Sequence, residues 1–222
     1  MRKLQKLPAP LILQENSQGW LEMYLANRSS SHHRYRYRHQ DIKETLKAET
    51  CDKCVYCESK IGHNTPGDVE HKLPTSKAEL LHFEWTNLTI ACQECNRRKN
   101  DYLDLNRPFL DPYADDVENL LDHHGPIVFC AAEDPAGRAE CTISILELNA
   151  DSRASLILRK KRLLEDVAVR LRQIRETEDL NLKAVRKMAL ARFCERSSEF
   201  SGCVRAFLLN CGQCELVKMA DE

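Results

Sequence analysis

Two pairs of cysteines have the spacing of metal ligands. Cys54 and Cys57 form one Cys-x-x-Cys motif, and Cys92 and Cys95 form another. Each motif lets two thiolates reach one ion from a tight turn, and two such motifs complete the tetrahedral shell of a structural zinc site. Cys51 precedes Cys54 by the same spacing, but we expect it to lie outside the shell. The alternative is that these are buried thiols, since free cysteine is a common core residue.

The segment between the two motifs carries residues that suit hydrolysis. Glu70 and His71 stand side by side shortly before Pro74, Asn87 follows, and Asn96 comes directly after the second cysteine pair. A histidine, whose pKa is ordinarily about 6.5, can take a proton from water near neutral pH. Carboxylate and amide oxygens suit a hard divalent ion. Neighbours in a regular strand point to opposite faces, so Glu70 and His71 can share a site only at a strand end or in an irregular loop.

Two stretches are rich in basic side chains. Arg97, Arg98 and Lys99 open the helix predicted after the second cysteine pair. Cations at a helix N-terminus could hold phosphate there, and a solvated basic face is the alternative. Residues 28–39 interleave four arginines with two tyrosines. That composition could grip phosphates and stack on bases, but a solvated loop that packs its tyrosines on the core is the interpretation we favour.

Apolar spacing predicts the elements that position these residues. Prolines at 8 and 10 favour an extended arm over residues 1–13. Helices are predicted near 16–27, after Asp41, over 151–176 and at two later places. The apolar face of the 151–176 helix consists of Leu156, Leu163, Val167, Leu171 and Ile174. Two short strands, Ile127–Cys130 and Cys141–Ile145, are predicted around a turn at 134–137.

Composition excludes several classes of protein. The chain has 222 residues, of which 42% are hydrophobic, so it can form a core and is not expected to be disordered. With 33 Lys and Arg against 34 Asp and Glu, the chain is not a globally basic nucleic-acid binder. The absence of an apolar run of membrane-spanning length and of a P-loop motif argues against a membrane span and against P-loop ATP hydrolysis. We expect a cytoplasmic protein, in which 11 cysteines indicate metal binding or catalysis rather than disulfides.

Taken in order, the motifs resemble the HNH endonuclease family. The shared pattern is a cysteine pair, Glu-His-x-x-Pro at 70–74, Asn-Leu at 87–88 and Cys-x-x-Cys-Asn-x-x-Lys at 92–99. The match covers about residues 51–101 and implies a ββα-metal core, in which a two-stranded hairpin and a helix surround a catalytic metal. Four further segments, MRKLQKLPAP, KCVYCESKI, LDPYADDVENLL and TISILELN, resemble HNH proteins found beside an ATPase in Septu anti-phage systems and in some retron systems. This wider resemblance spans roughly residues 1–175.

The resemblance implies a role for each position of the motif. His71 is the implied general base, which takes a proton from the water that attacks the phosphodiester. Glu70 and Asn96 are the implied ligands of a catalytic Mg²⁺ or Mn²⁺ ion. Asn87 is implied to hold the loop that presents His71. Asp68 lies close to Glu70 in the sequence and could support a metal ligand, but we do not include it among the expected site residues.

The same resemblance implies the partners of the chain. Nucleic acid, DNA rather than RNA, would be bound in part by Arg97, Arg98 and Lys99, of which Lys99 fits the family pattern best. An ATPase subunit of the same defence system would gate the nuclease. No membrane partner is expected.

We therefore predict an α+β fold: a ββα-metal (HNH) core stapled by a four-cysteine zinc site, with helical N- and C-terminal extensions. The expected divisions are an arm and helices at 1–50, the nuclease core at 51–101, a connector with a short hairpin at 102–150 and a helical region at 151–222. The predicted function is metal-dependent hydrolysis of nucleic acid in an anti-phage complex. The alternative is a non-catalytic zinc module that binds nucleic acid or scaffolds the ATPase. A second zinc site could form from four late cysteines, although we favour buried thiols: Cys194, Cys203, Cys211 and Cys214.

Overall fold

The computed structural model describes residues 1–62, 67–131, 134 and 136–221. Its N-terminal part holds helices α1 (Leu11–Ala26), α2 (Ser31–Arg34) and α3 (Gln40–Thr50). A single turn of 3-10 helix, Arg36–Arg38, lies between α2 and α3. α1 begins earlier than the sequence predicts, with Pro10 as its N-terminal cap. A proline is tolerated there because the first turn needs no N–H from it, so residues 11–13 are helical rather than extended.

A ββα unit forms the middle of the chain. Strands β1 (Asp68–His71) and β2 (Leu88–Ala91) pair antiparallel, with Glu70 opposite Thr89 and His71 opposite Leu88. Helix α4 (Gln93–Lys99) begins directly after Cys92 and packs against β1. The long β1–β2 connection contains two single-turn 3-10 helices, Glu79–Leu81 and Trp85–Asn87. All four residues of β2 are buried, which anchors the hairpin in the core.

The connector contains a hairpin, but the predicted pairing of its strands is wrong. Helix α5 (Val117–Leu120) leads into β3 (Leu121–His124), which pairs antiparallel with β4 (Ile127–Cys130). Gly125, at φ +61°, makes the tight turn between them. Residues 141–145 lie in helix α6 (Arg138–Ile145) instead of in a strand.

The start of α6 explains why the apolar run at 141–145 is not a strand. The carboxylate of Asp134 accepts a hydrogen bond from the backbone N–H of Ala139, and Gly137, in the left-handed conformation, precedes the helix. The predicted turn at 134–137 therefore starts a helix. Pro135, in that turn, lies outside the described residues. A short apolar run is compatible with either a strand or a helix, and these local contacts select the helix.

The C-terminal part is helical, as predicted. A 3-10 turn at Asp151–Arg153 leads into α7 (Ala154–Glu176) and α8 (Leu180–Ala191). A second 3-10 turn, Arg192–Cys194, precedes α9 (Ser201–Asn210) and α10 (Cys214–Met219). The predicted apolar face of α7 is confirmed except that Leu164 is buried and Leu163 is only half-buried.

One hydrophobic cluster connects these parts. It includes Leu13 of α1, Leu88 and Ile90 of β2, and Val167 of α7. The ββα unit is therefore packed between the helical extensions at both ends of the chain. Among the helices that the structure describes, none combines the length and the apolar character that crossing a membrane requires.

Candidate active site and metal centre

The two predicted cysteine motifs come together in space. The thiol sulfur atoms of Cys54, Cys57, Cys92 and Cys95 all lie within 4.8 Å of one another, and three of these residues are buried. This donor set fits a tetrahedral zinc ion. Cys51 lies outside the group, as expected from the sequence. We call these four residues the four-cysteine cluster.

Backbone turns build the cluster from both sides. In the first motif, the N–H of Glu58 donates to the Cys54 carbonyl at 3.0 Å and closes a tight turn. In the second, Cys92 caps α4, and its sulfur accepts a hydrogen bond from the N–H of Cys95 at 3.5 Å. A metal ion bound here would therefore tie α4 to the turn at 54–57.

A buried arginine lies against the cluster. Both terminal nitrogens of Arg153 donate to the Cys95 sulfur, at 3.6 and 3.5 Å, and one also donates to the carbonyl of Leu146. Burial alone would lower the pKa of Arg153, but the sulfur atoms, with Cys95 foremost, raise it above its ordinary value. The guanidinium therefore stays charged and would offset part of the negative charge of the thiolates in a metal-bound cluster. The sequence offered no signal for this contact, because 58 residues separate Arg153 from Cys95.

The four late cysteines do not form a comparable group in the part of the chain that the structure describes. Cys194 and Cys203 are buried, whereas Cys214 is exposed. The Cys203 thiol donates to the carbonyl of Gly125 at 3.0 Å. Burial raises the pKa of Cys194 and Cys203 to about 11, so these two thiols stay protonated at neutral pH.

His71 is the last residue of β1 and is held in a defined orientation. Its Nε2 lies 2.9 Å from the backbone carbonyl oxygen of His82. Because a carbonyl only accepts, Nε2 carries the proton, and Nδ1 of the neutral ring is left as a proton acceptor. Burial lowers the pKa of His71 to about 4, so the imidazole is neutral near pH 7 and its Nδ1 is free to accept a proton, while the lowered pKa makes it a weaker base than an exposed histidine.

His82 supports this orientation, and sequence reasoning missed it. Its ring stacks on the His71 ring, with centroids 5.0 Å apart, and on the Tyr24 ring at 4.3 Å. His82 Nε2 donates to the carbonyl of Arg34 at 2.7 Å, so its Nδ1 accepts from the Thr75 hydroxyl at 3.0 Å. A lone histidine in an irregular loop gives no sequence signal that distinguishes it from a surface residue.

Glu70 lies beside His71 in a buried ion pair. The Lys99 ammonium is 2.5 Å from Oε1 of Glu70, and the two side chains are 1% and 5% exposed. Burial raises the pKa of Glu70 above its ordinary value, and the positive charge of Lys99 limits that rise. The same ammonium donates to the backbone carbonyl of His71 at 2.7 Å. Lys99 therefore links α4 to the end of β1.

Asp68 and Asn96 face each other next to this pair. The Asn96 amide nitrogen is 3.4 Å from Oδ2 of Asp68, and both residues are partly exposed. They line a cleft of about 460 Å³ together with Glu70 and His71. We call these four residues and the space between them the HNH cleft. Its two carboxylates and one amide are oxygen donors suited to Mg²⁺ or Mn²⁺, and Asp68 is a donor in addition to the two ligands expected from the sequence, Glu70 and Asn96.

Asn87 lies beneath the loop that follows β1 rather than in the cleft. Its side-chain oxygen accepts from the N–H of Leu73 at 2.8 Å. Its amide nitrogen donates to the carbonyls of Leu73 and Leu81, at 3.1 and 3.2 Å. These bonds join both ends of the loop. The predicted role of Asn87 in presenting His71 stays a prediction.

The basic run at 97–99 differs from the predicted phosphate clamp. Lys99 is buried against Glu70 and offers no charge to a ligand at the surface. Arg98 is 8% exposed and pairs with Glu94 and Glu147. Arg97 is exposed but also pairs with Glu94, at 2.9 Å. The packing of α4 against the hairpin buries one side of the helix, and that determines which of the three charges reaches solvent.

Comparisons with known proteins agree with this geometry. A family model described as HNH endonuclease matches residues 54–102. Septu protein PtuB from Bacillus mycoides (strain KBAB4) is 32% identical over 80 residues, which cover 30% of this chain and 27% of that protein. The chain thus spans about a quarter of the length of this curated relative. The family-model match at residues 54–102 contains both the four-cysteine cluster and the HNH cleft, so the similarity falls on the two candidate sites.

Proposed function

We propose that this protein is a metal-dependent endonuclease that hydrolyses phosphodiester bonds of nucleic acid, with DNA as the preferred substrate. The observation that carries this proposal is the environment of His71. Its Nε2–H is bound to a backbone carbonyl, its lowered pKa keeps the ring neutral, and oxygen donors line the same cleft. A neutral, oriented imidazole beside a candidate divalent-ion site is what activation of water requires.

The four residues of the HNH cleft divide two tasks in the proposed reaction. Nδ1 of His71 accepts the proton of the attacking water. Asp68, Asn96 and the carboxylate of Glu70 would hold a Mg²⁺ or Mn²⁺ ion. Such an ion, when bound, supplies Lewis-acid polarisation of the phosphate and stabilises the leaving oxygen. Zinc in the four-cysteine cluster would keep α4, and with it Asn96, in place against the hairpin.

The proposed biological setting is anti-phage defence. The similarity to Septu protein PtuB supports this setting for the matched part of the chain. On this proposal the chain works in the cytoplasm as the nuclease subunit of a complex, and an ATPase subunit controls its access to nucleic acid.

A non-catalytic zinc module is the second candidate, and one observation favours it. Lys99 already neutralises the Glu70 oxygen that lies 2.5 Å away, so this carboxylate is less available to a divalent ion. A module that binds nucleic acid or scaffolds an ATPase needs the four-cysteine cluster but not a working HNH cleft. Such a module would bind zinc and its partner but would not cleave nucleic acid.

Cleavage of labelled DNA and RNA distinguishes the two candidates. Wild type and the His71→Ala variant are incubated with Mg²⁺ or Mn²⁺, with and without the proposed ATPase partner. We expect wild type to cleave, and the variant to lose at least about 100-fold in rate, as for removal of a general base. Zinc content and the melting temperature should stay close to wild type. Equal cleavage by both proteins would contradict the role of His71, and cleavage by neither would favour the zinc module.

A further inference from the structure

The HNH cleft is also lined by positive charge that does not come from α4. Arg34 and Arg38 line the cleft, and both are exposed. Within the described ranges neither of them forms a salt bridge, whereas Arg97 and Arg98 pair with Glu94. Arg97 lines the cleft as well but is paired with Glu94, so among the described residues the unpaired arginines that line the cleft lie in residues 34–38, which we call the arginine segment.

The arginine segment is fixed relative to the proposed base. Tyr37, 8% exposed, packs its ring edge-on against His71 with centroids 4.7 Å apart. The Arg34 carbonyl accepts the hydrogen bond from His82 Nε2 at 2.7 Å. Because His82 also orients His71 through its own carbonyl, the segment and the base share one support. The interpretation favoured from the sequence, a solvated loop that packs its tyrosines on the core, holds for the buried Tyr37. It does not explain why two guanidiniums line the cleft.

Aromatic contacts restrain the guanidiniums. The Arg38 guanidinium carbon lies 4.2 Å from the centre of the Tyr35 ring, and that of Arg34 lies 5.6 Å from the same ring. Tyr35 itself is 39% exposed. An arginine that stacks on a ring keeps its hydrogen-bond donors available at the edge of the guanidinium. A planar fork of donors in this arrangement matches the oxygens of a phosphate.

We propose that Arg34 and Arg38 bind backbone phosphates of the nucleic acid next to the bond that is cut. The strand would then lie across the HNH cleft between the arginine segment and α4, and recognition would be of the sugar-phosphate backbone and not of base sequence. This inference rests on the proposed nuclease function for its substrate. Arg34 and Arg38, and not Lys99 and Arg98, would then be the principal phosphate contacts.

Binding measurements with a charge-matched control test this proposal. The double variant Arg34→Gln with Arg38→Gln is compared with Arg172→Gln with Arg175→Gln, which removes the same charge from exposed residues of α7. Fluorescence anisotropy of labelled DNA and RNA is recorded at several salt concentrations without Mg²⁺ or Mn²⁺, so that binding is observed alone. Circular dichroism and zinc content verify that each variant is folded.

We expect the Arg34/Arg38 variant to bind about tenfold or more weakly, for DNA and RNA and for different sequences alike. The slope of log affinity against log salt should fall by about 0.7–0.9 for each phosphate that the variant no longer neutralises. The charge-matched control should bind like wild type, and Arg34→Lys with Arg38→Lys should restore part of the affinity. Equal weakening in the control, unchanged binding by the Arg34/Arg38 variant, or no binding by wild type would overturn the proposal.

A cleavage assay separates failure of this proposal from failure of the proposed function. At saturating substrate the Arg34/Arg38 variant should keep its kcat and show a raised KM, whereas His71→Ala should lose kcat and keep its affinity. If wild type binds nucleic acid through Arg34 and Arg38 but never cleaves it, the phosphate site stands and the nuclease function is contradicted. If wild type cleaves and the Arg34/Arg38 variant keeps the wild-type KM, the nuclease function stands and the phosphate site is contradicted.

Discussion

The four-cysteine cluster and the HNH cleft both include residues of α4 but differ in how they are built. The cluster takes two residues from each of two tight turns, and its four sulfur atoms are already within reach of one ion. The cleft takes Asp68 and Glu70 from β1 and Asn96 from α4, and one of its carboxylates is paired with Lys99. The cluster is closed and buried, whereas the cleft is open to solvent and to a substrate.

This difference is typical of the separation between structural and catalytic metal sites. A closed shell of protein ligands contributes stability but has no position for a reactant. An open site with oxygen donors can accept water and phosphate, but it depends on its surroundings to keep its ligands in place. Removing ligands from the two sites should therefore have different consequences.

The largest effect is expected from Cys95→Ser. This change removes one thiolate from the cluster and the sulfur that accepts the Arg153 hydrogen bonds, so zinc, folding of the ββα unit and cleavage should all be lost. Structural zinc binding is worth about 10–16 kcal/mol in zinc-finger peptides, which is comparable to the stability of a domain. Zinc per chain and the thermal melt measure the result. Cys214→Ser, at an exposed cysteine, is the control, and a Cys95→Ser protein that keeps one zinc and wild-type stability would contradict this view of the cluster.

Glu70→Gln should remove cleavage with a smaller effect on folding. It leaves the Lys99 ammonium buried without a counter-charge, which costs about 3–5 kcal/mol. Adding Lys99→Met to Glu70→Gln removes the unpaired charge and should recover most of that stability. Cleavage should stay at least about 100-fold below wild type in both proteins, since the loss of a ligand oxygen is not repaired. Recovery of cleavage together with stability would show that Glu70 acts only through its ion pair.

Arg153→Met tests the support of the cluster. The change removes the donors to the Cys95 sulfur at 3.5 and 3.6 Å but keeps an unbranched side chain of similar length. Loss of a group that supports a metal ligand typically costs 10–100-fold in metal affinity. We expect zinc affinity to fall by about that factor in a chelator competition assay, with cleavage unchanged when zinc is saturating. A zinc affinity equal to wild type would show that Arg153 serves only to pack the core.

The smallest effect is expected from Thr75→Val. It removes the hydroxyl that donates to Nδ1 of the buried His82 ring while keeping the shape of the side chain. An unpaired buried acceptor costs about 1–3 kcal/mol, so the melting temperature should fall by several degrees. Zinc content should not change, and the cleavage rate should fall only a few-fold because the His82 carbonyl still holds His71. A large loss of cleavage at unchanged stability would make Thr75 part of the catalytic machinery.

The four-cysteine cluster could be predicted from the sequence because its spacing is local to two short turns. The HNH resemblance could be predicted from the order of the motifs, and the family-model match over residues 54–102 and the ββα unit confirm that resemblance. The burial of Lys99 could not be predicted, because a basic residue after a cysteine pair looks the same in the sequence whether it faces solvent or a carboxylate. Contacts such as His82 with Arg34 join residues 48 positions apart, and no local pattern indicates them.

The predicted pairing of strands 127–130 and 141–145 in the connector is wrong for a related reason. Residues 141–145 have an apolar composition that suits a strand or a buried helix, and the hydrogen bond from Ala139 to the Asp134 side chain selects the helix. Hydrophobic spacing was more reliable for α7, because 23 residues repeat the helical period over several turns. Long periodic segments are therefore better predicted than short apolar runs.

On the proposed function, the chain separates a structural zinc site from a catalytic site for another divalent ion. The most direct test is single-turnover cleavage of labelled DNA by zinc-loaded protein, followed as Mg²⁺ or Mn²⁺ is added and with zinc per chain measured throughout. The account predicts no cleavage before the addition and a saturable rise afterwards, while zinc stays at one per chain. Cleavage that needs no added ion, or that rises and falls with zinc content alone, would contradict it.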